Sequence, residues 1–473
     1  MRHCGRNLYL APLIVLIASS VDSSADFKVA KTGDSLVDAK ALTIQGGFGR
    51  SINGVSFQQD AVTTHKQHQY VGYYNAGRHV CLARRKLPSG KWKTVRFKDY
   101  DFKSNDSHNT ISVGICPNDG TIHLAFDHHG HPLHYRLSRK GAATNPQTVK
   151  WDASLFGAVV SELEKGKPIR ITYPRFQQTP KGGLQFCYRR GGSGNGDRML
   201  VDYDPETGAW ADTRQIDSRK GLFSDDLGKS RSRCSYPNGY DYGPRGRLHA
   251  TWVWREASQG ANHDLMYAYS EDKGKTWLNN RGKKLTGPPS VTSPGVKVVD
   301  IGRKYGLMNT HGQAVDSKGR VHVVMWHCSD ESLKAAHSKP GEKRWGPPAA
   351  RRNHHYWRDL KGVWRHTELP GVAGTRPKIF IDGRDNAYVI FSNSWSRGIF
   401  YPKGSMLIAA ATSRSEWKDW KILHVEKGPF GNEMIMDFHR WKQDGILSVM
   451  AQGSPEKAHA PTPLRILDFT VEQ

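Results

Sequence analysis

The chain has 473 residues, and its 69 lysines and arginines against 44 acids give a formal charge of +25 with histidine neutral. A chain of this length can bury a large core without disulfide staples, so its six cysteines need not form a framework. Mean hydropathy is −0.64, and no apolar run approaches the roughly 20 residues that span a bilayer, which excludes membrane insertion.

Residues 2–25 read as a secretory signal. Arg2, His3 and Arg6 give a positive start, a short apolar run follows from Leu8 to Ala18, and small residues close it. The expected product is secreted or periplasmic, with residues 26–473 forming one domain. Exported proteins rarely meet nucleic acid, so the natural partner for the basic charge is an acidic polymer outside the cell, and sulfated or uronate-rich polysaccharide fits. Cys4 leaves with the signal. Cys81, Cys116, Cys187, Cys234 and Cys328 remain, and their wide spacing predicts buried thiols, with room for one pair or one metal ligand.

From about Asp38 the chain shows strand-and-turn grammar and almost no helical periodicity. A phrase recurs in which a polar turn with glycine leads into a strand. It reads NDGTIHLAF from Asn118, PRGRLHATW from Pro244 and SKGRVHVVMW from Ser317. Looser copies are PKGGLQFCY from Pro180, DGRDNAYVIF from Asp382 and DGILSVM from Asp444. The copies are spaced by roughly 60–75 residues, and tryptophans such as Trp92, Trp210, Trp417 and Trp420 punctuate the units. With a first unit near Gln58 to Phe97 this makes an all-β, seven-bladed β-propeller, the N-terminal strand completing the last blade. An array of β-sandwiches is the structural alternative. Ser270–Trp277 matches the Asp-box pattern S-x-D-x-G-x-x-W, a turn motif in which Asp272 caps backbone amides and Trp277 plugs the hairpin.

The stretch Asn105 to Arg136 holds six histidines: His108, His123, His128, His129, His131 and His134. The Asn118-Asp119-Gly120 turn brings the Ser107–Asn109 end of one strand and the Asp127–His129 end of the next to one sheet edge. His123 belongs to the repeated phrase, echoed by His249 and His322, and is architectural. His131 and His134 shape the strand exit. His108 and the His128–His129 pair are left as candidates for proton transfer.

In Arg170 to Asp197, Tyr173 precedes Pro174 and is expected in extended backbone. The turn at Pro180–Gly183 carries the chain back to Arg189, Arg190 and a glycine-rich loop at the same rim. Farther on, Cys234, His249 and His263 lie 15 and 14 residues apart, about a strand and a turn each, and at equal height would supply three ligands of a tetrahedral zinc site. His311, His327, Cys328 and His354 or His355 form a rival set. Buried, hydrogen-bonded histidines are the alternative to both. HHYWRD from His354 mixes aromatic and basic groups as sugar subsites do, and makes Tyr356 and Arg358 candidate contacts beside Asn109, His129, Arg190, Arg233 and Tyr236.

SHNTIS from Ser107, FDHHGHPLHYR from Phe126, TYPRF from Thr172, YRRGGSGNG from Tyr188 and SRCSY from Ser232 resemble the BNR-repeat proteins that include ulvan lyases, from about Gly46 to Leu467. The resemblance implies a seven-bladed propeller, a structural zinc ion, and β-elimination on a sulfated, uronate-containing polysaccharide. Matched by position, its functional set is His108, the histidine at 128 or 129, Tyr173 and Arg189. A lyase must neutralise the uronate carboxylate, remove the C5 proton and protonate the leaving oxygen at C4, with His108 or Tyr173 as base and Tyr173 as acid. A sialidase-like hydrolase and a non-catalytic polysaccharide-binding propeller are the competing readings. A monomer without an organic cofactor is expected.

Overall fold

The computed structural model describes Met1 and residues 27–45, 49–56, 60–258, 260–394 and 401–472. The segment expected as an export signal and parts of the first unit, Gly46 and Gln58 among them, lie outside the described residues. No helix is long and apolar enough to cross a membrane among those described.

The strands form seven antiparallel blades around one axis. The first runs Val62–His65, His68–Tyr74, His79–Lys86 and Lys93–Asp101. The second has Ile111–Ile115, Ile122–Phe126 and Tyr135–Leu137. The third has Arg170–Gln178, Leu184–Gly192, Asn195–Asp204 and Ala209–Gln215, and takes His129–Pro132 from the second as an extra inner strand. The fourth has Arg233–Tyr242, Leu248–Glu256, Asn262–Ser270 and Lys297–Val299, and the fifth Gly312–Val315, Val321–His327, Arg352–Arg358 and Trp364–Glu368. The sixth has Lys378–Ile381, Ala387–Ser392, Met406–Ala411 and Lys421–Glu426. The seventh combines Ile435–Met436, Ile446–Gln452 and Thr462–Glu472 with Lys28–Ala41 from the other end of the chain. That pairing runs from Lys28 opposite Glu472 to Ala41 opposite Thr462, so the N-terminal strand closes the ring.

The core lies between blades, because a blade is apolar on both faces. Tyr70, Leu82, Val113 and Leu124 join the first blade to the second, and Tyr135, Phe176, Phe186 and Trp210 the second to the third. Leu200, Trp252, Trp254 and Trp277 join the third to the fourth. Similar clusters fill each remaining gap, back to Val71 and Ala83 against Met450 and Ile466. A sandwich array would not build such a closed series.

The repeated phrases are the inner hairpins. Their turns all lie at one end of the ring, leaving the other end to the loops that enter and leave each blade. The Asp-box sits at the turn end. There Ser270 Oγ accepts the Gly274 amide at 2.7 Å, Asp272 Oδ1 accepts the Thr276 amide at 2.8 Å, and Trp277 is buried. Gly274 has φ +85°, and a Cβ there would lie 2.9 Å from Leu200. The motif builds the fold and takes no part in the opposite face. All five cysteines among the described residues are free and buried, so the expected thiols stand without a pair.

Candidate functional site

The site lies on the loop end, where the second, third and fourth blades meet. His108 is on the loop into the second blade, and its amide donates to Asp106 Oδ1 at 3.0 Å, a local turn that fixes the imidazole beside that carboxylate. His108 Nδ1 bonds the same oxygen, and His129 Nδ1 bonds Asp106 Oδ2 at 2.6 Å. The two imidazoles stack with centroids 4.3 Å apart. One carboxylate therefore holds both rings by Nδ1 and commits Nε2 of each to the opposite side.

Backbone geometry decides which of the adjacent histidines takes part. Asp127 has φ +63°, which breaks the strand alternation just before the pair. His129 then pairs with Thr172 of the third blade, next to Tyr173. His128 turns inward. It is fully buried, its Nε2 accepts the His134 amide at 2.8 Å, and burial followed by His134 and His131 holds its pKa well below the ordinary imidazole value. His128, expected as a catalytic group, is thus packed into the fold, and His129 occupies the site.

Tyr173 is not in the extended conformation that Pro174 suggested. Its φ is +55°, and the ladder to the neighbouring strand shifts register between Thr172 and Arg175. This bulge costs on the order of 1–3 kcal/mol and turns the ring out of the pleat. The ring centroid lies 6.2 Å from His108, 6.0 Å from His129 and 6.0 Å from Tyr236. Arg189 sits behind it, its guanidinium carbon 4.8 Å from the Tyr173 ring centre and 5.6 Å from that of Tyr236, with Nη1 3.7 Å from Cys234 Sγ. Arg189 is only 1 % exposed, so it backs the tyrosines instead of presenting itself at the rim.

The electrostatics separate an acid from a base. Burial, then Tyr236, raise the Tyr173 pKa far above the ordinary phenol, and the opposing pull of Arg189, Arg255 and Arg376 does not reverse this. Tyr173 keeps its proton. Burial likewise lowers the His108 pKa, with Asp106 opposing and His129 and Arg376 assisting, so the imidazole is neutral near pH 7. Burial works against the Asp106 anion, but hydrogen bonds from His108 and His129 outweigh it and hold the carboxyl below the usual range.

Several residues expected at the site serve the fold. Asn109 is buried, donates to Asp127 and lies 3.1 Å from His131 Nδ1. Arg233 is fully buried; it bonds Glu256 at 2.7 Å and the carbonyls of Arg219, Lys220, Gly221 and Ser230, which pins the 219–230 loop. Tyr356 is inside the fifth blade with its hydroxyl on His327 Nε2 at 2.8 Å. Arg358 is at the turn end, bonded to Asn280. All four are bonded to partners within the fold, and Arg358 is held away from the loop end. Arg190 is exposed beside Arg189, and Tyr236 lines the site.

The zinc expectation fails on register. Cys234 pairs with Arg255 and His249 with Asp241, which places the two about 20 Å apart along the blade at roughly 3.3 Å per residue. Cys234 Sγ instead accepts the Gly194 amide at 3.1 Å, His249 bonds the Tyr267 hydroxyl at 2.9 Å, and His263 lies between Glu256 and Asp264. The rival set is no better. His311 Nε2 accepts the Trp326 amide, His327 bonds Tyr356, His354 bonds His366, and His355 bonds His322. Among the described residues, donor atoms converge within 4.8 Å only at Asp106, His108 and His129, where hydrogen bonds already join the carboxylate to both imidazoles.

Sequence reasoning missed Asp106, Arg255 and Arg376. An aspartate in a polar loop reads as a turn former, and the sole signal for Asp106 was its position two residues before His108. Arg376 is buried in a central-channel ion pair with Glu433 at 2.5 Å, and its field reaches both His108 and Tyr173.

Residues 68–371 match the family model described as "BNR repeat-containing family member". The chain is 26% identical over 395 residues to the long isoform of an ulvan lyase from Alteromonas sp. (strain LOR), covering 71% of this chain and 37% of that protein. A short isoform from the same strain is 26% identical over 310 residues, covering 54% of this chain and 56% of its own length. The chain thus spans about a third of the long relatives it matches. Among solved structures, the polysaccharide lyase Uly1 superimposes with TM-score 0.71 at 20% identity, covering 93% of this chain and 99% of that one. A PL25 ulvan lyase gives TM-score 0.63 at 13% identity over 91% and 94%. The fold is theirs, a seven-bladed propeller. By its repeats, its blades and the match over most of its length, the chain belongs to the BNR repeat-containing family.

Proposed function

We propose that this chain is an exported polysaccharide lyase that cleaves a sulfated, uronate-containing polysaccharide of the ulvan type by β-elimination. The observation that carries the reading is the Asp106-braced pair His108–His129 with the Tyr173 ring centre 6.2 Å and 6.0 Å from theirs. The names of the similar proteins support it, and one of the similar structures is described as an ulvan lyase bound to a sulfated glucuronate–rhamnose unit.

The chemistry follows from the geometry. His108 Nε2 removes the proton at C5 of the uronate. The electron pair left behind forms the C4–C5 double bond as the C4–O bond breaks, and the Tyr173 hydroxyl gives its proton to the departing oxygen. Water is not consumed. Asp106 holds both imidazoles by Nδ1 and stabilises the imidazolium formed on His108. Negative charge on the uronate acid group during C5 deprotonation falls beside His129, and Arg189, Arg255 and Arg376, whose charges act on the neighbouring Tyr173, add positive field to the site. Fixed charges aimed at developing charge commonly supply the largest catalytic contribution. Arg189 behind the Tyr173 ring stabilises the phenolate left when the proton departs.

The test is incubation with ulvan followed by ultraviolet absorbance and end-group analysis. An unsaturated uronate at the new end is expected, and Tyr173→Phe is expected to lower the rate by about 10²–10⁴-fold, the usual worth of a positioned proton donor. Saturated ends would identify a hydrolase. Retention of the polymer without shortening would identify a binding module. Undiminished activity in Tyr173→Phe would remove the tyrosine from the mechanism.

A further inference from the structure

Next to the candidate site lies a second basic cluster that takes no direct part in the elimination chemistry, Arg255 reaching Tyr173 only through its field. Arg255, on the strand of the fourth blade that pairs with Cys234 and Tyr236, donates from Nη1 to the Tyr236 hydroxyl at 3.1 Å and from Nε to Asn262 Oδ1 at 2.9 Å. Its guanidinium carbon lies 4.5 Å from the Tyr236 ring centre and 5.3 Å from that of Trp345. Trp345 and Arg344 come from the long connection inside the fifth blade. Arg344 lies 4.6 Å from the Trp345 ring centre and is anchored by one bond, Nη2 to the Gly260 carbonyl at 2.5 Å.

One indole therefore gathers two guanidinium groups from different blades. Neither is within ion-pair distance of a carboxylate among the described residues, whereas the buried arginines of the same blade are paired, as Arg233 with Glu256 and Arg303 with Asp225. Like charges brought together without an acid repel. Cation–π contact with the indole offsets part of that cost. Arg344 is exposed and Arg255 half-buried, so both are accessible from solvent. The cluster continues the path His108, Tyr173, Tyr236 from the second blade to the fifth, and lies beyond Tyr236 from the proposed cleavage point.

We propose that Arg255, Arg344 and Trp345 form a subsite for the sulfate ester of a sugar adjacent to the uronate that is cleaved. The proposal rests on the lyase reading for the position of that sugar. A sulfate carries a full charge at every working pH and offers several acceptor oxygens to two convergent forks, which a neutral sugar does not. Burial, followed by the proximity of Arg255, lowers the Arg344 pKa, in keeping with two cations that lack a counter-charge.

The experiment is calorimetric titration of the full chain and its Arg344→Ala variant with a sulfated uronate–rhamnose tetrasaccharide and with its chemically desulfated counterpart. Arg344 is exposed, so the variant is expected to keep the fold, and a melting curve checks it. Wild type is expected to bind the sulfated ligand roughly tenfold more tightly than the desulfated one, and Arg344→Ala to lose that preference while binding the desulfated ligand as wild type does. Equal affinity of both proteins for the sulfated ligand overturns the proposal. So does an equal loss for both ligands, which would mean that Arg344 reads the carboxylate or the sugar frame. Turnover is read separately by ultraviolet absorbance. A sulfate preference lost in Arg344→Ala, with no unsaturated product from wild type, would retain the subsite and discard the lyase.

Discussion

Asp106 is the residue on which the proposed chemistry turns, although it touches no reacting atom in the scheme. Its two oxygens fix both imidazoles, and its charge raises the His108 pKa against the larger lowering by burial. Replacing it with asparagine removes that charge while keeping the shape. The His108 pKa should then fall further, so the acid limb of the kcat/KM profile should move to lower pH while the plateau drops by about 10²-fold. In wild type that limb should already lie below the ordinary imidazole value near 6.5, because His108 stays unprotonated down to its lowered pKa. A plateau that falls with an unmoved limb would reduce Asp106 to loop packing. The pH–rate profile of the two proteins is the measurement. At this scale the sequence was partly legible. His108, Tyr173 and Arg189 stand in long, specific motifs, but the choice between His128 and His129 depends on the φ of Asp127, which no spacing rule contains. Metal spacing misled for a related reason. Intervals of a strand and a turn put Cys234 and His249 at opposite ends of a hairpin, not at one height.

Between residue and molecule, the 219–230 loop shows how a buried charge network serves the site. Arg233 and Glu256 are fully buried as a pair, and His263 lies 2.9 Å from Glu256 while stacking on Phe223 of the loop at 4.0 Å. The loop continues to Ser232, whose hydroxyl donates to the Gly194 carbonyl in the glycine-rich turn after Arg189. Arg233→Ala would strand Glu256, so a loss of about 3–5 kcal/mol is expected in denaturant unfolding. The network also has a pH signature. Burial lowers the His263 pKa, but Asp264 and Glu256 more than compensate, so the net shift is upward. A raised imidazole pKa gives stability that is complete below the ordinary value and is lost as pH rises through the folded value. The melting temperature of wild type relative to His263→Gln should therefore fall across that window, and a constant difference would show that His263 is neutral in the fold. Elements of this kind were only half visible beforehand. The turn–strand phrases marked the inner hairpins well, because glycine turns and alternating apolar residues are local signals. The crossing of His129–Pro132 into the third blade was hidden, because HGHP has no alternation and its partner Arg170–Thr172 lies far along the chain.

Over the whole molecule, the ring has one seam, and its position explains why a site made by three blades is rigid. Six of the blades are built from consecutive chain, apart from the one borrowed strand, and the seventh joins both ends through the ladder from Lys28–Glu472 to Ala41–Thr462. The repeat spacing implied this closure, since six phrases and a first unit make seven units and leave the N-terminal strand to complete the last blade. The seam is reinforced by side chains: Arg85 of the first blade bonds Asp468 of the last at 2.9 Å, and Arg440 bonds the same aspartate at 2.7 Å. Asp437 of the seventh blade accepts from Gln69 of the first at 2.9 Å. The Arg85 and Gln69 bonds cross the gap between first and last blade, independently of the N-terminal strand, and Arg440 braces Asp468 from within the last blade. Deleting residues 27–41 should therefore expose the long edge of Thr462–Glu472 and the apolar groups around Val37 and Ala41, but leave the gap itself bridged. The expected result in calorimetry is a melt well below that of wild type with a separate early transition for the seventh blade, and a chain that self-associates through the open edge. The candidate catalytic residues are carried by the second and third blades and the proposed sulfate subsite by the fourth and fifth, so none lies on the seventh blade. Below the early transition, binding of the sulfated tetrasaccharide should then remain close to that of wild type. A single transition at the wild-type temperature would show that the terminal ladder contributes little to closure, and loss of binding before any melting would show that the seam and the site act as one cooperative body.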